Sequence, residues 1–281
     1  MFIKIDGARI RYSDEGAGPI LLLLHGIPDC GAIWDGMVGA LRDNYRCLAP
    51  DLPGFGDSGV PAGLRIDLRQ MGGFVAAFLD ALGVDQPVHL VVHDIGGPYG
   101  LAWAVQQPER VASITIMNTV FQAEYRWHRY GQLCRLPLLG ELLQLLLTQA
   151  ALRRAIYRNS GQVKRRPEQV GATYARLTAS VRAMVLRLYR GLSPQVFEHW
   201  DTRLRALNAR IPSQVLWGDL GSYIDHAYAE RFGAQTVHHF THCGHWPMAE
   251  FPLTVARHVH RHVQAALGKT GHTAEAARSA A

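Results

Sequence analysis

Residues 20–24 read Ile-Leu-Leu-Leu-Leu, and His25, Gly26, Ile27 and Pro28 follow at once. Five consecutive apolar residues ending in a turn do not alternate, so a strand built from them is covered on both faces. That is the condition of a central strand in a mostly parallel sheet flanked by helices. Further strand-like runs recur at 46–49, 88–92, 112–117, 213–217 and 235–240. Between 88–92 and 112–117 lies a helical pattern, about 97–107, that Pro108 stops. Alternating β and α elements at this spacing predict an α/β fold wound on a parallel sheet.

The character changes at Phe121. From there to 207 the sequence is helix-like, rich in Arg, Leu and Ala, with no clear strand, before strand signals return at 213. A helical block between two strands of one sheet reads as an insertion. The expected organisation is a core of 1–120 and 208–267, a helical cap of 121–207, and a disordered Ala/Gly/Ser/Thr-rich tail over 268–281. A chain of 281 residues with 48% apolar content is long enough for one such domain with its insertion.

Charge is unevenly placed. Residues 121–210 hold fifteen Arg and one Lys against five carboxylates, a net +11, whereas the whole chain is +6 and the remainder therefore −5. Such a block attracts acidic substrates, acidic lipid headgroups or an acidic partner, or else is a solvated helical surface. No nucleic-acid motif accompanies it, so no nucleic-acid partner is expected. The cysteines, Cys30, Cys47, Cys134 and Cys243, are scattered without a CxxC pair, which argues for a reducing compartment. Residues 1–5 begin a strand-like pattern rather than a secretory signal, and the apolar stretch at 136–152 is short and interrupted by Glu141. A cytoplasmic protein without an integral membrane segment is expected, and a homodimer is compatible with this reading.

Three segments carry chemistry. The run Val-His-Asp-Ile-Gly-Gly at 92–97 lies where a strand hands over to a helix, and Gly96 and Gly97 allow a sharp turn that lifts Asp94 above the sheet. A carboxylate there can attack an electrophilic sp3 carbon and leave an alkyl ester on the enzyme. Its competing role is capping the following helix. The His25 turn can aim the Ile27 N–H toward the same point as the Ile95 N–H, making an anion hole. After the last strand, His245 falls where a general base belongs. His239, His242 and His245 lack the accompanying carboxylate pattern of a metal site, so neither metal nor cofactor is expected.

Taken in order, these segments resemble the α/β-hydrolase superfamily over residues 8–265. Asp51-Leu-Pro-Gly-Phe-Gly-Asp-Ser58 and Pro108-Glu-Arg-Val111 belong to the same resemblance. An aspartate at 94 resembles the epoxide hydrolase and haloalkane dehalogenase branch. The resemblance implies an α/β-hydrolase fold with an inserted cap, Asp94 as nucleophile, His245 as base, Ile27 and Ile95 as oxyanion donors, and a small apolar substrate. Epoxide opening needs a proton donor for the alkoxide. Among the cap tyrosines, Tyr157 and Tyr189 are the candidates.

The chain departs from that pattern in its donors and its acid. Dehalogenases of the family carry Trp after the nucleophile and often Asn in the His-Gly turn to hold halide, where this chain has Ile95 and Ile27. Trp127 and Trp200 are the remaining candidates for a halide donor. The acid that orients the histidine is absent from both usual positions, which are Gly221 and Asn118 here. Asp219 is the expected substitute, with Asp225 behind it. Epoxide hydrolysis is therefore the first reading and haloalkane dehalogenation the second. A third is a ligand-binding or non-hydrolytic protein lacking a complete triad.

Overall fold

A computed structural model describes the backbone of residues 1–279 and the side chains through Gly268. Eight strands form one sheet, β1 (Phe2–Ile5), β2 (Ala8–Glu15), β3 (Ile20–Leu24), β4 (Arg46–Pro50), β5 (Val88–His93), β6 (Val111–Met117), β7 (Ser213–Gly218) and β8 (Thr236–Phe240), in the order β1-β2-β4-β3-β5-β6-β7-β8. β1 and β2 pair antiparallel, and β2 joins β4 antiparallel; every other pairing is parallel. All five residues of β3 are buried, as their unbroken apolar run requires.

Helices α1 (Asp35–Leu41), α2 (Leu68–Ala81) and α3 (Gly96–Gln106) complete the first half of the core. α2 starts where the Asp67 side chain accepts from the Gln70 N–H, an N-cap, and buries Met71, Phe74, Val75, Phe78 and Leu79 at helical spacing. α3 buries residues around its whole circumference, because it lies between the sheet and further helices.

Between β6 and β7 come α4 (Arg129–Arg135), α5 (Leu139–Leu146), α6 (Gln149–Asn159), α7 (Pro167–Ala175), α8 (Ala179–Gly191) and α9 (Trp200–Asn208). No strand interrupts them. α9 packs against α3 through a face that buries Leu204 and Leu207, so this last helix sits beside the sheet rather than over the strand ends. After β8 follow α10 (Pro247–Glu250) and α11 (Pro252–Ser279). The helical backbone of α11 thus runs through most of the segment expected to be a disordered tail, and residues 280–281 lie outside those described. Val255, Val259 and Val263 of α11 repeat every four residues and are buried, which ties the helix to the core.

The helical insertion is locked to the core at a buried cluster. Arg165 donates from both terminal nitrogens to Asp29, at 2.9 and 3.1 Å. The Thr173 hydroxyl donates to Asp29 Oδ1 at 3.0 Å, and the Trp246 indole N–H to Oδ2 at 3.1 Å. Burial alone would raise the Asp29 pKa, but the Arg165 charge and these bonds overcome it and hold the carboxyl below its usual value. Asp29→Asn leaves a buried guanidinium without its counter-charge and is expected to cost about 3–5 kcal/mol. Urea unfolding at pH 7 measures it, and a loss under about 1 kcal/mol would rule out the clamp.

Candidate active site

Strands β3, β5, β6, β7 and β8 all end on one side of the sheet, and the loops there carry His25, Asp94, Asn118, Gly221 and His245. β3 lies between β4 and β5, so the chain order reverses beside it. Open parallel sheets leave a crevice at such a switch point.

Asp94 sits at the turn from β5 into α3 with φ of +48°, a conformation costly for a residue with a side chain. Its surroundings fix it there. A Cβ on Gly26 would fall 2.3 Å from the Asp94 Cβ, and one on Gly96 would fall 2.3 Å from the Leu24 carbonyl oxygen. The Thr119 hydroxyl also donates to the Asp94 carbonyl. These contacts explain why glycines flank the position on both segments.

The Asp94 carboxylate meets two groups. Ile27 N–H donates to Oδ1 at 2.8 Å, and His245 Nε2 lies 3.2 Å from Oδ2. Burial pushes the carboxyl pKa up, but the His245 hydrogen bond and charge, with the Ile27 N–H, outweigh burial and bring it down to about 2. Asp94 is therefore ionised at neutral pH. Ile95 is the residue that caps α3, and among the described residues its N–H makes no hydrogen bond to the carboxylate. The His25 ring, buried and neutral, shapes the turn that aims Ile27. Its Nδ1 donates to the Gly26 carbonyl at 2.9 Å, while Nε2 accepts from the Leu52 N–H at 2.8 Å.

His245 is held by its backbone. Its N–H donates to the Asn159 carbonyl at 2.8 Å, and its carbonyl accepts from His93 Nε2 at 2.8 Å. Glu250 accepts from the Gly244 and Gly161 N–H groups at 3.0 and 2.8 Å, joining this loop to the turn after α6. The other ring nitrogen, Nδ1, is buried and has no hydrogen-bond partner among the described residues.

Asp219, expected as the orienting acid, is not beside that nitrogen. Its Oδ1 lies 2.7 Å from His239 Nδ1, and its N–H donates to the Phe240 carbonyl. Following β7 directly, it stays against neighbouring β8 and cannot turn toward the cavity. The Asp219 hydrogen bond raises the His239 pKa against a smaller loss from burial. Asp225 is exposed and caps a short helix through the Ala227 N–H at 2.8 Å. At the second usual position, Asn118 joins β6 to β7 by accepting from the Gly218 N–H at 3.0 Å and donating to its carbonyl at 2.9 Å. Gly221 faces His245 so closely that a Cβ there would lie 3.2 Å from the histidine's Cβ.

Above Asp94 lies a cavity of about 520 Å3 between the core loops and the insertion. Most of its wall is apolar or aromatic. Tyr189 lines it, with its hydroxyl 3.4 Å from His128 Nε2. Tyr157 does not. α6 turns Leu152, Ala155, Ile156 and Asn159 to the cavity, and a residue one position after Ile156 is rotated off that face. The structure instead brings in Tyr125, a cap tyrosine passed over in favour of Tyr157 and Tyr189, and Tyr223, which lies outside the cap and was not weighed for this role. Tyr125 donates to the Tyr223 carbonyl at 3.3 Å. Tyr223 comes from the loop after β7, its ring edge-on to His245 at 5.2 Å, and its hydroxyl makes no hydrogen bond among the described residues. Burial, then the Asp94 charge, push its pKa up to about 12, so it is a neutral O–H donor.

The indole N–H groups in the wall are already used. Trp127 donates to the Leu192 carbonyl at 2.8 Å and Trp246 to Asp29, while Trp200 does not line the cavity.

The elbow after β5, the His25 turn and the histidine after β8 lie in the arrangement of an alpha/beta hydrolase fold. The chain matches that family over residues 19–252 and belongs to it. Haloalkane dehalogenase 2 of Mycobacterium tuberculosis (strain ATCC 25618 / H37Rv) is 40% identical over 113 residues, 40% of this chain and 39% of that protein. A cis-3-alkyl-4-alkyloxetan-2-one decarboxylase of Shewanella oneidensis is 35% identical over 120 residues, 42% of this chain and 38% of that protein. The chain thus spans about two-fifths of the length of the curated relatives it matches. Among solved structures, a loop variant of the haloalkane dehalogenase DbeA from Bradyrhizobium elkanii superposes with a TM-score of 0.81, covering 97% of this chain and 98% of that one at 20% identity. A thermophilic esterase from Thermogutta terrifontis superposes at 0.76, covering 95% and 98% at 21% identity. At those identities the likeness is one of fold.

Proposed function

We propose that the chain is a hydrolase that opens small apolar epoxides through an ester on Asp94. The observation that carries the reading is the ionised Asp94 carboxylate between the Ile27 N–H and His245 Nε2, on the floor of an apolar cavity. Asp94 Oδ2 attacks an epoxide carbon, the carbon–oxygen bond breaks, and a tyrosine hydroxyl protonates the departing oxygen. Tyr223 is suited to that step because its hydroxyl is unengaged; Tyr189 is the second donor. His245 then takes a proton from water, which attacks Asp94 Cγ. Oδ1 becomes the oxyanion, stabilised by Ile27 N–H with Ile95 N–H as the second donor. Collapse breaks the ester carbon–oxygen bond, the expelled alkoxide takes the proton from His245 to give the diol, and the acid proton left on Asp94 returns to the tyrosinate, restoring the carboxylate.

The dehalogenase reading has the named relative in its favour. Against it, Ile27 and Ile95 offer halide no side-chain donor, and the Trp127 and Trp246 N–H groups are occupied. A non-hydrolytic reaction or ligand binding is favoured by one observation, the unpartnered Nδ1 of His245. Loss of an orienting acid slows this kind of chemistry by about 10⁴.

The test compares an epoxide and a bromoalkane of equal chain length. Diol formation from the epoxide is expected, falling about 10–100-fold in kcat with Tyr223→Phe, since a proton donor contributes about 10²-fold or more. Bromide release in preference to diol would assign the dehalogenase reaction instead. Turnover of neither substrate would leave the binding reading standing.

A further inference from the structure

We propose that the cavity takes an apolar epoxide with a terminal carboxylate, which Arg129 and Arg158 grip at the cavity mouth. Both arginines line the cavity and both are exposed, whereas Ile95 and His245 at its floor are buried. A lining residue that is also exposed marks where a cavity opens to solvent. Neither guanidinium makes a hydrogen bond or ion pair among the described residues. Other arginines of the insertion are engaged: Arg165 on Asp29, Arg190 on Glu141, and Arg182 on the Leu177 carbonyl. Short paths bring the two free ones to one place. Arg158 precedes Asn159, whose side chain accepts from the Ser222 N–H at 2.9 Å and from its hydroxyl at 2.7 Å. Arg129 follows His128, whose ring lies 4.7 Å from that of Tyr223. From α6 and from α4, the two arginines thus approach the same Ser222–Tyr223 segment.

Charge and shape identify the occupant. Among the described lining residues Asp94 is the only carboxylate, and it is held on the floor by the Ile27 N–H and His245. Burial keeps the neighbouring His128 neutral, so the positive charge at the mouth is that of the arginines alone. A guanidinium presents a planar fork of N–H donors that matches a carboxylate. The wall elsewhere includes Val120, Leu152 and Ile156, all buried, which suit a hydrocarbon chain. The same charges set the direction of entry. Ionised Asp94 repels a carboxylate and the arginines attract one, so the epoxide end goes in first. The proposal rests on the epoxide reading for the end that reacts, and on the arginines alone for the end that is held.

The experiment separates the two ends. Calorimetry at low ionic strength compares binding of octanoate to the full chain with binding of octanamide, its neutral counterpart of equal length. Octanoate is expected to bind about tenfold more tightly, because two exposed charge pairs contribute up to about fivefold each. Arg129→Gln or Arg158→Gln should lower that preference about threefold, and the double variant should bring it to about one. Added salt should shrink it in the parent chain. Both side chains are exposed and unengaged, so circular dichroism should match the parent, and a ratio taken on each protein separates lost grip from lost folding. Equal binding, binding of neither ligand, or a preference that survives in the double variant overturns the proposal. Diol formation from a terminal epoxyoctanoate and from its methyl ester is then compared, with kcat/KM expected to favour the acid about tenfold. Octanoate preference without turnover of either epoxide keeps the anion subsite and overturns the epoxide reading. Diol formation with no preference for the acid does the reverse.

Discussion

His245→Gln is expected to stop the reaction after its first step and leave the alkyl group on Asp94. Attack needs the ionised carboxylate and a tyrosine proton donor; the Ile27 N–H still bonds Oδ1, and a glutamine amide at 245 supplies a donor where His245 Nε2 stood. Release needs a base 3.2 Å away, and glutamine accepts no proton from water. Its backbone still bonds Asn159 and His93, so the loop is retained. Steady-state turnover should fall at least about 10³-fold, while intact-protein mass spectrometry after epoxide treatment finds one adduct per chain, mapped to Asp94. Asp94→Asn should form none. A His245→Gln protein that turns over at the parent rate, or an adduct elsewhere, would sink the mechanism. The same measurement on the parent chain reads the consequence of the unpartnered Nδ1. With no carboxylate to stabilise the imidazolium, ester breakdown is slow relative to attack, and adduct should accumulate transiently in the parent chain too.

The second large effect is acid lability well above the carboxylate range. Burial lowers the His93 pKa to about 3, with the His245 charge adding to it. Burial likewise lowers His89 and His128 to about 4. All three are neutral in the folded chain and take up a proton readily only when it unfolds. Between the ordinary value of about 6.5 and these folded values, the unfolded state binds more protons, so stability falls as pH falls. It is fully present above about pH 6.5 and drains at about 1.4 kcal/mol per unit for each ring. By pH 5 that is about 2 kcal/mol each, or about 6 kcal/mol together. His25, also lowered by burial, adds in the same direction, while His239, raised by its Asp219 hydrogen bond, works against it. Asp94, lowered, loses its contribution only below about pH 4, outside this window. About 6 kcal/mol rivals the whole stability of an ordinary domain. Urea midpoints at pH 7 and pH 5 test it, and coincident midpoints would refute it. His89→Gln, which accepts no proton, should flatten the profile by about a third.

Much of the core was legible because its signals are local. The apolar run of β3 marks burial on both faces without reference to any other segment, and the expected strands at 46–49, 88–92 and 112–117 each match an observed strand within a residue or so at either end. β2 went unread because its alternating pattern is laden with charge, and only its pairing with β1 and β4 identifies it. Asp94 was legible from the glycines that crowd it. The acid was not, because whether Asp219 reaches His245 depends on which strand its loop follows. Tyr157 was chosen by sequence neighbourhood, whereas the cavity wall is assembled from turns far apart in the chain, which is how Tyr223 enters. The basic block shows the same limit. Composition counts Arg165 and Arg153 alike, but one is buried on Asp29 and the other faces solvent.

The Asp29 cluster also bears on traffic through the cavity. Its partners come from the insertion on one side and from the residue after His245 on the other. Swinging the insertion away would strip a buried ion pair and shift the loop that aims the base. Opening the insertion is thus opposed by a buried charge pair, and any shift there is passed to the base through Trp246, the residue that follows it.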